Sequence, residues 1–296
     1  MRLSQHLGAR SVVPMTRTDR AVTLLGLGRM GAAMASTLHE HDWQVTAWNR
    51  SEGDAPAGVE LVDDVATAVA GADLVVLCLF DGTACHEVLS HVELAPGALV
   101  VNTSTVGPDE AARLAELVRG AGARYVHAPV LGSVPAVRTR RLLVLAGGES
   151  GDVDAARGVL DVVAREVRHV GDPARAAALK LVANASLAGA LIALRDVVDA
   201  AKALGLDLEA TLEVLAVGQL GGLSEAKRDR LTGDRRGADF AIGALLKDMT
   251  LLSAATGLDL HVEREIARLV DAGQVSRSDD IAAAFLPVAS GSVTTR

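Results

Sequence analysis

The hexapeptide GLGRMG, Gly26 to Gly31, follows the apolar run AVTLL without a break and leads into RMGAAMASTLHE, whose apolar residues recur at helical spacing. No other feature narrows the fold as much. A strand, a tight glycine turn and a helix in immediate succession open a βαβ unit, because the helix must pack back on its strand. Each glycine then has its own task. Gly26 permits the turn, Gly28 leaves room for a pyrophosphate against the backbone, and Gly31 lets the helix approach its strand. The free N–H groups at the helix start favour an anion there. Leu27, Arg29 and Met30 fill the same turn, so all six positions are expected to line a dinucleotide.

The pattern then repeats. QVTAWN, LVVLCLF, ALVVNTS, RYVHAPV, LLVLAGG and EVRHVG read as strands, with VDDVATAVAG, GTACHEVLSHV, GPDEAARLAELVRGAG and DVDAARGVLDVVA as helices between them. This alternation predicts an α/β Rossmann-type domain, a parallel sheet with helices on both faces. After Gly171 the strand signals stop. Helices are expected at 174–204, 207–216, 238–256 and 259–273, with a short one near 278–284. Asp172 before Pro173 supplies a helix start. The expected organisation is a flexible tail over 1–20, the α/β domain over 21–173 and an all-α helical domain over 174–296. Met15 is a candidate start inside that tail.

Composition removes several alternatives. Lys and Arg number 29 against 37 Asp and Glu, a net charge of -8. The basic footprint of a nucleic-acid binder is therefore missing. The longest apolar stretch, AAALKLVANASLAGALIAL, is interrupted by Lys180 and Asn184; no uninterrupted run approaches the ~20 residues of a membrane span. Two cysteines, Cys78 and Cys85, offer no disulfide framework and fit a reducing compartment, the cytoplasm. No metal site is expected.

The end of the second strand bears on the cofactor. NAD-binding chains place Asp or Glu there to hold the ribose 2′-OH. This chain has WNRS, with Asn49, Arg50 and Ser51. A guanidinium beside an amide and a hydroxyl suits a 2′-phosphate, which an acid would repel. NADP (NADPH) is expected; the alternative leaves Arg50 a solvated loop residue.

Lys180 is one of only four lysines in the chain. An ammonium in an apolar helix is costly unless it is paired or its pKa shifts. Either it snorkels to water, or it is a proton donor held in a cleft. Asn184, four residues on, shares its helix face.

Taken in order, GLGRMG, NTSTVGP, HAPVLGS, LKLVANA and FAIGALLKDMTL resemble the β-hydroxyacid dehydrogenase family, the relatives of 3-hydroxyisobutyrate dehydrogenase and of glyoxylate and succinic semialdehyde reductases. The resemblance covers nearly everything over 21–284. It implies a Rossmann domain and a helical domain with the active site in the cleft between them. The implied activity interconverts a 3-hydroxyacid-like alcohol and its semialdehyde or ketone, with hydride exchanged at a nicotinamide. It makes Lys180 the group that gives or takes the proton at the alcohol oxygen, and Asn184 a substrate-binding residue that orients it. It places Thr105 near nicotinamide and substrate, Gly132 and Ser133 in the substrate loop, and the Leu79 backbone along the dinucleotide. Lys247 is implied as a cofactor contact from the second domain, although it also reads as a surface partner of Asp248. An apolar helix between domains suits packing into a homodimer or homotetramer.

The substrate loop departs from the family's DAPVSGG: His127 stands at the acid, Leu131 at the serine and Ser133 at the second glycine. Where Gly-Thr-Leu is usual the chain has Arg140, Arg141 and Leu142; these two arginines, which cluster with Arg138 in the sequence, are surface charge or meet an acidic substrate. A larger or less acidic carbonyl compound than the usual semialdehydes is expected. Two rival readings remain. Imine reductases share the two-domain plan but usually carry Asp or Tyr at the place of Lys180. A catalytically silent dinucleotide-binding module, working through protein contacts, has no use for the Lys180–Asn184 pair.

Overall fold

The structure, a computed structural model, describes residues 20–231 and 238–282. The expected tail up to residue 19, with Met15, lies outside the described residues, as do the last two residues of the helix expected near 278–284; over 278–280 the chain turns rather than forming that helix, and Asp280 bridges Ala241.

The first part of the chain runs β1 (Ala21–Leu25), α1 (Arg29–Glu40), β2 (Gln44–Trp48), β3 (Glu60–Val62), α2 (Val65–Val69), β4 (Leu74–Leu77), α3 (Gly82–Ser90), β5 (Leu99–Asn102), α4 (Pro108–Gly120) and β6 (Arg124–His127). It continues through β7 (Val130–Leu131), α5 (Val134–Arg138), β8 (Leu142–Gly147), α6 (Ser150–Val163) and β9 (Ala164–Gly171). The strands form one sheet in the order β3-β2-β1-β4-β5-β6-β8-β7, with β9 on β8. The strands β1 to β6 are parallel as expected. From β6 onward the parallel-dominated sheet becomes mixed, because β8 is antiparallel to both β6 and β7. A parallel return needs a crossover of a dozen or more residues, usually a full helix. Here the connection is occupied by the HAPVLGS loop, the two-residue β7 and the five-residue α5, so the chain turns straight back.

Buried apolar residues fill both faces of the sheet. One cluster joins Leu24, Val101 and Val126 to α1 and α6; the other joins Leu25, Val75 and Tyr125 to α2, α3 and α4.

The second part is helical: α7 (Pro173–Ala203), α8 (Leu208–Ala216), α9 (Gly221–Leu231), α10 (Ile242–Thr256) and α11 (His261–Asp271). Asp172 caps α7, accepting the Arg175 N–H at 2.8 Å, with Pro173 in the first turn. By length and composition this 31-residue helix passes for a membrane span. Its inner face instead packs on protein: Ala177 joins the sheet's core, while Ala188 and Leu191 join the core of α10 and α11. The helix thus begins against the sheet and ends among the helices.

Candidate active site

The glycine turn has the shape its sequence implies. Gly26 has φ +106°, and a Cβ there would lie 2.5 Å from the Cys78 carbonyl oxygen. A Cβ on Gly31 would lie 1.9 Å from the Gly26 carbonyl oxygen. Gly28 differs: it precedes α1 as an N-cap without a side-chain bond, and a Cβ would meet nothing within 4 Å. The cradle therefore has open space at Gly28 and unsatisfied N–H groups at the helix start, which fits a pyrophosphate. Arg29 is exposed in the first turn of α1, with Leu27 and Met30 half-buried beside it. Asn49 ties the end of β2 to this turn: its Oδ1 accepts the Leu27 N–H at 3.0 Å and its Nδ2 donates to the Ser51 carbonyl at 2.8 Å. Arg50 and Ser51 project as exposed residues beyond that tie.

The NTSTVGP loop is held from below. The Asn102 Oδ1 accepts the Ser104 N–H at 2.9 Å, the Thr103 hydroxyl donates to the Leu77 carbonyl at 2.7 Å, and the Ser104 hydroxyl accepts the Leu79 N–H at 2.9 Å. Asn102 also donates to the Tyr125 hydroxyl at 3.1 Å, and that hydroxyl lies 3.4 Å from His127 Nδ1. Burial holds His127 down at about 3, so it is neutral. It fills the acid's place in the family pattern without bringing a charge.

This fixed loop offers the Thr105 carbonyl to the second domain, where Lys247 Nζ donates to it at 2.6 Å. Lys247 Nζ also lies 2.9 Å from Asp248 Oδ1 and 5.4 Å from the centroid of the Phe80 ring. Lys247 is thus a cross-domain contact as well as a partner of Asp248.

Lys180 and Asn184 stand on the buried face of α7. Lys180 Nζ donates to Asn184 Oδ1 at 3.1 Å, and Asn184 Nδ2 donates to Asp248 Oδ2 at 2.5 Å. Only this orientation of the amide serves both neighbours; reversed, its NH2 would face an ammonium and its oxygen a carboxylate. Lys180 is 8% exposed. Burial draws its pKa down to about 8, with Asp248 pulling upward and Lys247 pushing further down. Snorkelling is therefore not its conformation. Asp248, buried beside both lysines, joins the group through a contact that sequence spacing does not reveal. The adjacent Lys-Asp pair in LLKDM was the available signal.

The HAPVLGS loop is shaped by Gly132, at φ +130°, where a Cβ would lie 2.7 Å from Leu142 and 2.9 Å from Ala136. Leu131 pairs with Leu143 in the sheet, and Ser133 precedes α5 without a side-chain cap. Arg140 has φ 55° and donates to the Val162 and Asp161 carbonyls at 3.0 and 3.4 Å, at the end of α6. It is a helix-end ligand, which settles its part of the arginine cluster in favour of a structural role.

Comparison with known proteins places these residues in a family. Residues 21–171 match the NAD binding domain of 6-phosphogluconate dehydrogenase, and residues 174–283 match the NAD-binding region of NADP-dependent 3-hydroxyisobutyrate dehydrogenase. An uncharacterized oxidoreductase of Synechocystis sp. is 30% identical over 250 residues, covering 79% of this chain and 85% of that protein. The 3-hydroxyisobutyrate dehydrogenase of Mycobacterium tuberculosis, solved with L-serine, superposes with a TM-score of 0.72 at 25% identity over 90% of this chain and 98% of that one. An imine reductase of Streptomyces aurantiacus gives a TM-score of 0.62 at 26% identity, over 89% and 98%. The chain belongs to the β-hydroxyacid dehydrogenase family, 3-hydroxyisobutyrate dehydrogenase type, and is an NADP-linked oxidoreductase.

Proposed function

We propose that the protein interconverts a 3-hydroxyacid-like alcohol and its semialdehyde or ketone, with Lys180 as the group that moves the proton at oxygen. The observation that carries this is the Lys180–Asn184–Asp248 chain, which holds a buried lysine able to give up its proton at about 8. The Gly26–Gly31 cradle would hold the NADP cofactor, which when bound would supply the hydride for the carbonyl carbon or accept it from the alcohol carbon. As the carbonyl oxygen gains negative charge, the Lys180 ammonium stabilises it and delivers a proton, leaving a neutral amine. In the alcohol-oxidising direction the neutral amine takes the hydroxyl proton. Asn184 fixes the ammonium through its oxygen, and Asp248 fixes Asn184. Thr105, the Gly132–Ser133 turn and the free face of Asn184 are proposed to bind substrate, with Lys247 and the Leu79 backbone along the cofactor.

Leu131 in place of the family's serine removes a hydroxyl from the substrate loop, so a bulkier or less acidic carbonyl compound is the proposed substrate. The second reading, imine reduction, is favoured by the imine reductase likeness and opposed by Lys180. The stripe Leu179, Val182, Ala193 and Val197 on the outward face of α7, with Val182 56% exposed, supports a homodimer or homotetramer.

The test is NADPH oxidation by the purified protein over glyoxylate, succinic, methylmalonic and tartronic semialdehydes, bulkier neutral aldehydes and a cyclic imine. Turnover of any aldehyde supports the reading. Turnover of the imine alone sinks it, as does binding of NADPH without turnover of any compound.

A further inference from the structure

Arg50 follows the end of β2, Glu87 lies within α3, and their side chains meet with Nη1 3.8 Å from Oε2. The position of this pair matters more than its strength. The strand β1 lies between β2 and β4 in the sheet, and α3 follows β4. The pair therefore reaches across the end of β1, the strand that runs into the glycine turn. In an open α/β sheet the ligand lies in the crevice outside the strand ends. With the pyrophosphate at Gly26–Gly31, the adenosine half runs into the crevice that Arg50 and Glu87 span.

The base of Arg50 is fixed and its head is not. The bonds from Asn49 to Leu27 and Ser51 anchor the turn to the glycine loop. The guanidinium itself meets only Glu87 among the described residues, and the two side chains are 75% and 61% exposed. A contact of this length and exposure is weak. It yields to a phosphate, which offers a guanidinium shorter, charge-assisted and bidentate bonds.

We propose that Glu87 is a cofactor-discriminating residue: its carboxylate competes with the 2′-phosphate of NADP for the Arg50 guanidinium and so blunts the preference for NADP over NAD. The proposal rests on reading Arg50 as the 2′-phosphate group. NAD brings no second anion to that place, so its binding does not require the pair to part.

The test is calorimetric titration of the full chain with NADP+, NAD+, 2′,5′-ADP and 5′-AMP, in the wild type, Glu87→Gln, Arg50→Ala and the double variant. Glu87→Gln is expected to tighten NADP+ and 2′,5′-ADP about 1.5- to fivefold, the range of an exposed ion pair. NAD+ and 5′-AMP stay unchanged, and the gain disappears in the Arg50→Ala background. Arg50→Ala alone weakens NADP+ and spares NAD+. If Arg50→Ala behaves so and Glu87→Gln leaves NADP+ unmoved, Glu87 is a bystander and the proposal fails while the role of Arg50 stands. If Arg50→Ala leaves NADP+ unmoved, both fail together. Equal tightening of NAD+ and NADP+ in Glu87→Gln also overturns the proposal, since it marks general repulsion of nucleotide phosphates.

Discussion

Lys180 keeps an ammonium on the inner face of a long apolar helix, and that placement has a measurable cost. An ordinary lysine holds its proton to 10.5; buried Lys180 releases it at about 8. Between these values the unfolded chain binds more protons than the folded one, so stability rises with pH across the window, by about 3 kcal/mol in all. We expect Lys180→Met to be more stable than the wild type at pH 7, with the gap closing towards pH 10.5, read by urea denaturation. Asp248 acts in the opposite sense, since its charge holds the lysine's pKa up. Asp248→Asn is therefore expected to move the alkaline fall in carbonyl-reduction rate to a pH below 8, read from a rate–pH curve. At this scale the sequence reveals what helix geometry encodes. Lys180 and Asn184 share a face because four residues make about one turn. Asp248 lies 64 residues beyond Asn184, and no local periodicity brings α10 to α7.

Among the elements, the turn from β1 into α1 separates two kinds of glycine. A Cβ on Gly31 would collide with the Gly26 carbonyl oxygen, whereas a Cβ on Gly28 has free space. Gly31→Ala is expected to cost about 1–3 kcal/mol of stability as α1 is pushed off its strand, and to lose NADP+ affinity as well. Gly28→Ala is expected to leave the thermal midpoint within a few degrees of the wild type and still lose NADP+ affinity, because the Cβ fills the space meant for the pyrophosphate. Differential scanning fluorimetry with and without NADP+ reads both effects. The elements legible in the sequence were those long enough to show a period, such as α1, α4, α6 and the buried strands. The three-residue β3, the two-residue β7 and the five-residue α5 are too short to show one; the equally short α2 is legible because VDDVATAVAG carries the helical pattern beyond its five residues. The helix α9 was missed for another reason: GGLSEAKRDRL opens on two glycines and carries few apolar residues, so neither propensity nor amphipathicity announces it. The antiparallel β8 was illegible because alternation of strands and helices does not encode strand direction when the intervening helix is too short to make a crossover.

In the whole molecule, α7 links the two parts: its first turns pack on the sheet, its middle presents Lys180 and Asn184, and its later turns build the helical core. The opposite face of the same helix bears the exposed stripe that includes Leu179, Val182 and Val197. If copies of the chain associate through that stripe, sedimentation gives a multiple of the 30.5 kDa chain, and Val182→Glu reduces the mass to one chain. An unchanged mass in that variant removes the stripe from the interface. The reach of Lys247 from α10 to the Thr105 carbonyl joins the cofactor loop to the second domain, so the site depends on both parts being in register. The most direct test of the account is kcat/KM for NADPH-dependent reduction of the preferred aldehyde across pH 6 to 10, in the wild type and in Lys180→Ala. The account predicts a wild-type rate that falls as pH rises through about 8, where the ammonium loses its proton, and a variant about 10²–10⁴-fold slower without that fall. A variant that keeps the wild-type rate, or the same fall near 8, would mean that another group protonates the oxygen.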